Sequence, residues 1–414
     1  VSKYADEGSI AHALAAMCLE AGTNADAYIG RVIECVDGEH HDLSPSAAVR
    51  WMSCPGSTVL TKSKPSTAGR KFSAPVTEEM AADVQTYLDN LRDYLRSAGA
   101  TLMVEQRVDC GRWTGIAGHG GTADAIVVVG TELQVHDLKF GRGVEVDAEE
   151  NSQLMLYALG ALDMVEALGE TVERVRLVIH QPRITKAPSE WDCSVAWLAD
   201  FGERARAAVG GVRSAKEVAG PHDPTWRAAY LSPSEPACRW CDAKATCPAL
   251  AERVQKEVGD DFENLDADKL KRSADFSGPS ALAVKLRAVP LIEAWCTALA
   301  AHAEALALAG EKVPGFKLVA GRKGSRKWTS AEEAEARMKA FRMKHDEMYD
   351  YSIISPTTAE KRLAKEHPRQ WSKLTDLVTQ SDAKPTLVPE SDKRPAIEVK
   401  PVTDGFQALA AEEV

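Results

Sequence analysis

The chain has 414 residues, of which 44 % are hydrophobic, 27 % charged and 6 % aromatic; it is long enough for two or three domains and too apolar for a disordered chain. Its formal net charge of -11 excludes a DNA-coating role, where basic residues gain affinity by displacing counterions, but leaves room for a local basic groove. The most apolar helical stretch, Leu291 to Leu308, is interrupted by Glu293, His302 and Glu304, and no basic-then-apolar leader occurs, so a cytoplasmic protein is expected.

Helical periodicity predicts a first helix over Ser9 to Glu20, with Ile10, Ala13, Leu14 and Met17 on one side, Asp6 and Glu7 near its start, and His12 on its early turns. Basic side chains at Lys62, Lys64, Arg70 and Lys71 follow. A second helix is expected over Thr77 to Arg96, stopping before Gly99. From Leu102 the period shortens: LMVEQRV, ADAIVVV and ELQVHDLK are rich in β-branched residues, are separated by glycine-containing turns and read as three strands. Glu149 to Ala167 reads as a helix with Leu154, Tyr157, Ala158 and Ala161 on one side, and VERVRLVIHQPRI as a further strand closed by Pro182. Helix, three strands, helix, strand is the order of an α/β protein with a central mixed sheet flanked by helices.

Beyond that core, Trp197 to Val218 is helical, prolines at 221, 224, 233 and 236 mark a linker, and further helices are expected over Leu270 to Leu308 and Ala331 to Lys344 before a proline-rich tail from Pro385. The organisation expected is an N-terminal helical segment with an isolated cysteine (1–76), a core (77–220), a cysteine-rich segment (221–260) and a helical and extended C-terminal region (261–414). That last region carries a glycine-containing basic strip, Arg322, Lys323, Arg326 and Lys327 beside Trp328. The strip reads either as a guide for single-stranded nucleic acid or as a solvated loop, with Trp328 packed on its neighbours.

The chemistry concentrates in two carboxylates and a lysine. Asp124 opens one predicted strand, and thirteen residues later Asp137 and Lys139 close another. Residues two apart on a strand share a side, so Asp137 and Lys139 face one cavity while Leu138 faces the opposite layer. Carboxylates on adjacent strands suit Mg²⁺ or Mn²⁺, and an ammonium beside them can orient or deprotonate an attacking water. Glu105 on the preceding strand, His12, and the helical pair Gln153 and Tyr157, four apart and so on one face, complete the set.

These pieces, EGSIAH ending at His12, GTAD ending at Asp124, DLK ending at Lys139 and QLMLY from Gln153 to Tyr157, resemble the PD-(D/E)XK nuclease superfamily in its RecB-type branch, with Ala123 where the name has a proline. The segment GRGVEVDAEENSQLMLYALGAL, with PGFKLVAGRKGSRKW and TLVPESDKRPAI, is similar to a phage-associated subgroup of unknown function. The resemblance implies a PD-(D/E)XK core with helical additions, His12, Asp124 and Asp137 as metal ligands, Lys139 as the catalytic lysine, and Gln153 and Tyr157 as the supporting helix motif. It further implies an exonuclease that leaves 5′-phosphate and 3′-hydroxyl ends on DNA, in a bacterial host cytoplasm if phage-encoded, with phage recombination or replication partners. The rival readings are a catalytically inactive nucleic-acid-binding or recombination-accessory protein on this fold, and a zinc-stapled structural protein.

Nine cysteines, an odd number scattered along a charged chain, do not form a secreted disulfide framework. Cys18, Cys35, Cys110, Cys193 and Cys296 read as ordinary small residues. Cys238, Cys241 and Cys247 are clustered, and Cys54 in RWMSCPGS stands on a proline-glycine turn; four thiolates suit structural Zn²⁺ or a [4Fe-4S] cluster, which spacing does not separate. Iron-sulfur members of the RecB-type branch pair one distant cysteine with a C-terminal CxxCx₅C group, so the resemblance implies the cluster. In that pattern the isolated cysteine precedes the histidine helix, whereas here His12 precedes Cys54. That order implies a local permutation or a join of fragments.

Overall fold

The structure, a computed structural model, describes residues 3–38, 42–61, 68–218, 220–259, 279–321, 323–349, 353–365, 367–380, 385–389 and 395–397. It contains two compact units, Val1–Cys296 and Thr297–Val414.

The first unit opens with α1 (Lys3–Ala21), β1 (Val32–Val36), α2 (Ala48–Ser53), α3 (Ser57–Leu60), β2 (Lys71–Pro75) and α4 (Glu78–Tyr94). Then come β3 (Thr101–Asp109), α5 (Gly111–Thr114), β4 (Gly120–Val129), β5 (Glu132–Leu138), α6 (Ser152–Ala167), β6 (Arg174–His180), β7 (Ser189–Ser194) and α7 (Val195–Glu217). Strands β3-β4-β5-β6-β7 form one mixed sheet in that order, with β5 and β6 parallel and the other neighbours antiparallel. A parallel pair needs a crossover, and α6 supplies it.

Local chemistry accounts for these elements. The turn from Val129 to Glu132 closes on two residues, and Gly130 takes φ 58° there, a conformation open to glycine and required by tight hairpins. Nearly all of β5 is buried, as expected for a central strand covered on both faces. Asn151 caps α6 by accepting from Leu154 N–H at 3.2 Å, so the helix starts at Ser152 rather than at Glu149. Ser194 caps α7 through Trp197 N–H at 3.1 Å.

Helices cover both faces. On one side α1 and α4 bury Ile10, Leu14, Val84, Leu88 and Leu91 against Ala125, Val127 and Leu138. On the other, α2, α6 and α7 pack Trp51, Leu154, Leu156 and Phe201 on Ile126, Leu133, Val135 and Leu177. The α/β architecture with a mixed sheet flanked by helices is therefore present. The antiparallel pair β1–β2 and the edge strand β7 add to the four strands expected from sequence; β7, SEWDCS, has a single buried residue, so it lacks the apolar signal of its neighbours.

Three helices, α8 (Pro224–Tyr230), α9 (Glu235–Arg239) and α10 (Pro248–Gly259), follow the sheet, and α11 spans Pro279–Leu308 with Pro290 inside it. The expected helix start at Leu270 lies outside the described residues. Leu286–Leu308 of α11 is long and apolar enough to cross a membrane by length and composition.

The second unit contains β8 (Phe316–Ala320) paired with β11 (Pro385–Pro389), β9 (Lys327–Trp328) paired with β10 (Val378–Thr379), and helices α12 (Ala331–Ala340), α13 (His345–Met348), α14 (Pro356–Leu363) and α15 (Pro368–Ser372). Its core gathers Ala334, Met338, Met348, Ile354, Leu363 and Leu374. The helix expected to run to Lys344 ends at Ala340, where Arg342 turns through a positive φ of 60°.

Candidate metal centre and cysteine pocket

The candidate centre forms where β4 and β5 separate. Their ladder ends at Ala125↔His136, so Asp124 and Asp137 follow as the next facing positions. Asp124 sits inside β4 rather than at its start, because the strand begins with Gly120 and Gly121. A Cβ on Gly120 would come within 1.9 Å of Val108 O, and one on Gly121 within 2.8 Å of the Tyr157 ring. Glycine there lets β3 and α6 close on the strand.

Two side-chain groups meet at this end of the sheet. In the first, ligand atoms of His12, Glu105 and Asp124 lie within 4.8 Å of one another. His12 Nδ1 is 3.0 Å from Asp124 Oδ1, while the other carboxylate oxygen accepts Leu138 N–H at 2.6 Å. Glu105 has φ 47° in mid-strand, and the β3–β4 pairing passes from Val104↔Ala125 to Gln106↔Ala123 around it. A non-glycine residue in this region is strained by about 1–3 kcal/mol. In the second group, Lys139 Nζ lies 2.8 Å from Asp137 Oδ2 and donates to Gln153 Oε1 at 2.9 Å. Gln153 Nε2 contacts Asp137 Oδ1 at 3.2 Å and the Tyr157 hydroxyl at 3.4 Å. Leu138 packs in the opposite layer.

Electrostatics divide the carboxylates. Burial opposes charge on His12, but Asp124 outweighs it and lifts the imidazole to about 9. Asp124 is lowered: burial pushes it up, and the His12 charge and hydrogen bond with Leu138 N–H more than reverse this. Asp137 is raised because burial, with the Asp124 charge, exceeds the help of Lys139. Lys139 is desolvated yet raised, since Asp137 and Asp124 hold its proton. Glu105, exposed at the rim but partly desolvated on its inner side and facing Asp124, is pushed up to about 7. Crowded carboxylates of this kind suit an oxygen-preferring divalent cation, whose charge relieves their repulsion.

One neighbour in this centre carried no motif. Tyr87 of α4 lines the pocket of His12, Glu105 and Asp124; its only sequence signal is a hydroxyl within the apolar stripe of Met80, Val84, Leu88 and Leu91.

The four singled-out cysteines line one pocket on the other flank of the sheet, with Leu231, Pro233 and Leu250. Cys54 follows α2, Cys238 lies in α9, and Cys241 and Cys247 bracket the turn before α10. Burial raises all four thiols, Cys238 to about 11, and in each case a main-chain group works the other way: Ser232 and Ser57 at Cys54, Ser234 at Cys238, Ala243 at Cys241, Leu250 and Ala249 at Cys247. Ser232 N–H reaches Cys54 Sγ at 3.3 Å. The sulfurs do not form a group of three within 4.8 Å among the described residues, as His12, Glu105 and Asp124 do. His12 and Cys54 arrive on different faces of the sheet, so either order along the chain serves this assembly.

The basic candidates are partly committed elsewhere. Arg70 pairs with Asp6 and Asp37 and lies over Phe72, and Lys62 and Lys64 lie outside the described residues. In the second unit Arg326 pairs with Glu360 over the Trp371 ring, and Trp328 donates its indole N–H to Ile354 O at 3.0 Å within the core. Both are thus structural members of that unit, the packed alternative for Trp328. Lys323 and Lys327 are exposed, and Arg322 lies outside the described residues.

Among solved structures the chain is similar to one titled "Crystal Structure of LHK-Exo in complex with dAMP", at 11 % identity and a TM-score of 0.22, with 41 % of this chain and 91 % of that chain covered. Residues 63–395 match the family model described as "Protein of unknown function (DUF2800)". The matched span holds Glu105, Asp124, Asp137, Lys139, Gln153, Tyr157 and the three clustered cysteines, and starts after His12 and Cys54. With four-fifths of its length inside that match, this chain belongs to the DUF2800 family.

Proposed function

We propose that this chain is a divalent-cation-dependent deoxyribonuclease of the PD-(D/E)XK kind, RecB-like, working from DNA ends. The observation that carries the reading is the meeting of His12, Glu105 and Asp124 within 4.8 Å beside the Asp137, Lys139 and Gln153 network. An imidazole with two carboxylates fits Mg²⁺ or Mn²⁺, with Asp137 facing Asp124 across the strand ends. When bound, such an ion polarises the phosphate and acidifies a water.

The chain's own groups do the rest. In the metal-free chain His12 and the Leu138 N–H hold the two oxygens of Asp124, which orients the carboxylate, and His12 would give up its proton on joining an ion as a ligand. Lys139 sits between Asp137 and Gln153, and the carboxylates raise it in the metal-free chain, which suits a donor that holds the attacking water and faces the charge gathering on phosphate oxygens. Gln153 ties that ammonium to Tyr157. Incubating labelled single- and double-stranded DNA with Mg²⁺ or Mn²⁺ tests the reading: Asp137→Ala and Lys139→Ala should each lose at least about 100-fold in rate. Equal cleavage by all three proteins refutes it.

The cysteine pocket fits a [4Fe-4S] cluster held by Cys54, Cys238, Cys241 and Cys247. Main-chain groups near each sulfur favour the thiolates that either a cluster or zinc needs, and the resemblance of the cysteine spacing to iron-sulfur members of the RecB-type branch is what favours the cluster. The cluster would staple the α2–α3 turn to α9 and α10 across almost two hundred residues, limiting unfolded-state entropy. Protein purified without oxygen should be brown and contain iron and sulfide; zinc without sulfide would replace this assignment.

A further inference from the structure

The Tyr87 side chain is 1 % exposed, and among the described residues its hydroxyl has no hydrogen-bond partner. Its ring is fixed edge-on to His180, with centroids 4.8 Å apart at 84°, and α4 holds it in the apolar layer with Val84, Leu88 and Leu91. The same side chain lines the pocket formed by His12, Ala15, Leu19, Glu105 and Asp124. A buried O–H left unpaired costs free energy that one acceptor atom removes. Each Asp124 oxygen already accepts one hydrogen bond, from His12 and from Leu138 N–H, and neither Asp124 nor Glu105 of the same pocket accepts the Tyr87 O–H, so the acceptor is one that comes with whatever fills the pocket.

We infer that Tyr87 is a positioning residue for the candidate metal centre, donating its hydroxyl proton to an oxygen ligand, a water, on the cation held by His12, Glu105 and Asp124. The inference rests on the proposed metal-site reading and deepens it. Such an outer contact orients the aqua ligand, and its loss weakens metal affinity by about 10- to 100-fold where measured in metal sites generally. It also explains why a tyrosine stands where the packing needs only a phenyl ring.

The test compares wild type, Asp124→Asn and Tyr87→Phe by Mn²⁺ titration, read through water-proton relaxation, with urea unfolding of each metal-free protein. Wild type should bind Mn²⁺, Asp124→Asn should lose that binding, and Tyr87→Phe should bind about 10- to 100-fold more weakly with an unchanged or higher metal-free unfolding midpoint. Wild-type Mn²⁺ affinity in Tyr87→Phe, with binding lost in Asp124→Asn, overturns the role of Tyr87 and leaves the site standing. A lowered metal-free midpoint in Tyr87→Phe also overturns it, since the hydroxyl would then have a partner in the fold itself. Mn²⁺ binding indifferent to Asp124 removes the metal-site reading first.

Discussion

Acidification should unfold the first unit through a buried histidine pair next to the candidate centre. Gln134 Nε2 donates to Glu132 Oε1 at 2.6 Å, so its Oε1 accepts from His136 Nε2 at 3.0 Å, which leaves His136 Nδ1 to accept from His180 Nε2 at 3.0 Å. That chain assigns both tautomers and leaves His180 Nδ1 without a proton and, among the described residues, without a partner. Burial therefore holds His180 neutral down to about 3, against 6.5 for a free imidazole, and pushes His136 in the same direction. Above pH 6.5 neither folded nor unfolded His180 binds a proton and stability is flat. Below it the unfolded chain takes up a proton that the folded chain refuses until about pH 3, so stability falls with pH by about 1.4 kcal/mol per pH unit. For His180 alone the loss is about 3 kcal/mol at pH 4.5 and about 4 kcal/mol at pH 3, where the folded imidazole is itself half protonated. Urea unfolding of metal-free wild type and His180→Gln at pH 7, 5.5 and 4.5, with matched m-values, isolates this share because carboxylate effects cancel in the difference. The variant, whose amide can still donate to His136, should show the shallower slope. Parallel plots of stability against pH for the two proteins would refute the reasoning.

Gly121→Ala puts a methyl 2.8 Å from the Tyr157 ring; it should cost about 1–3 kcal/mol and, by moving Gln153, about 100-fold in nuclease rate, and a Tyr157→Leu background should recover the stability but not the rate. Arg183 is 9 % exposed and reaches Glu7 at 3.2 Å and Asp83 at 3.3 Å over the Phe140 ring. Arg183→Met strands those acids and should destabilise by about 3 kcal/mol in urea unfolding; a change under about 0.5 kcal/mol would show the cluster to be solvated. Cys247→Ser should lower iron per chain and the melting temperature together, whereas Cys296→Ser, at an exposed thiol, should change neither.

Much of the core was readable locally. Alternation and β-branched runs marked β3, β4, β5 and β6, and a two-residue spacing was enough to put Asp137 and Lys139 on one side of β5 with Leu138 on the other. The cysteine spacing singled out the four that share a pocket. Elsewhere the local signal failed for identifiable reasons. Exposure alternates along β7 and along the paired strands β1 and β2, but β7 fully buries one residue and apolar Val32 and Val36 lie on the exposed side of β1, so residue type does not follow that period. For Arg70, Arg326 and Trp328 the sequence left the choice between nucleic-acid contact and a solvated or packed surface open, because their ion-pair and hydrogen-bond partners lie 26 or more positions away.

The sequence by itself determined the core strands β3 to β6, the helices α1, α4, α6 and α7 and the residue types at the strand ends, because those depend on neighbours within one turn or one pleat. Tertiary structure decided that Glu105 turns into the Asp124 pocket through a strained φ, that Gly121 yields to the Tyr157 ring, and that a buried tyrosine hydroxyl sits beside the same carboxylate. Those outcomes come from packing between layers that are distant in the chain, where a side chain's surroundings, rather than its own propensity, set its orientation and charge.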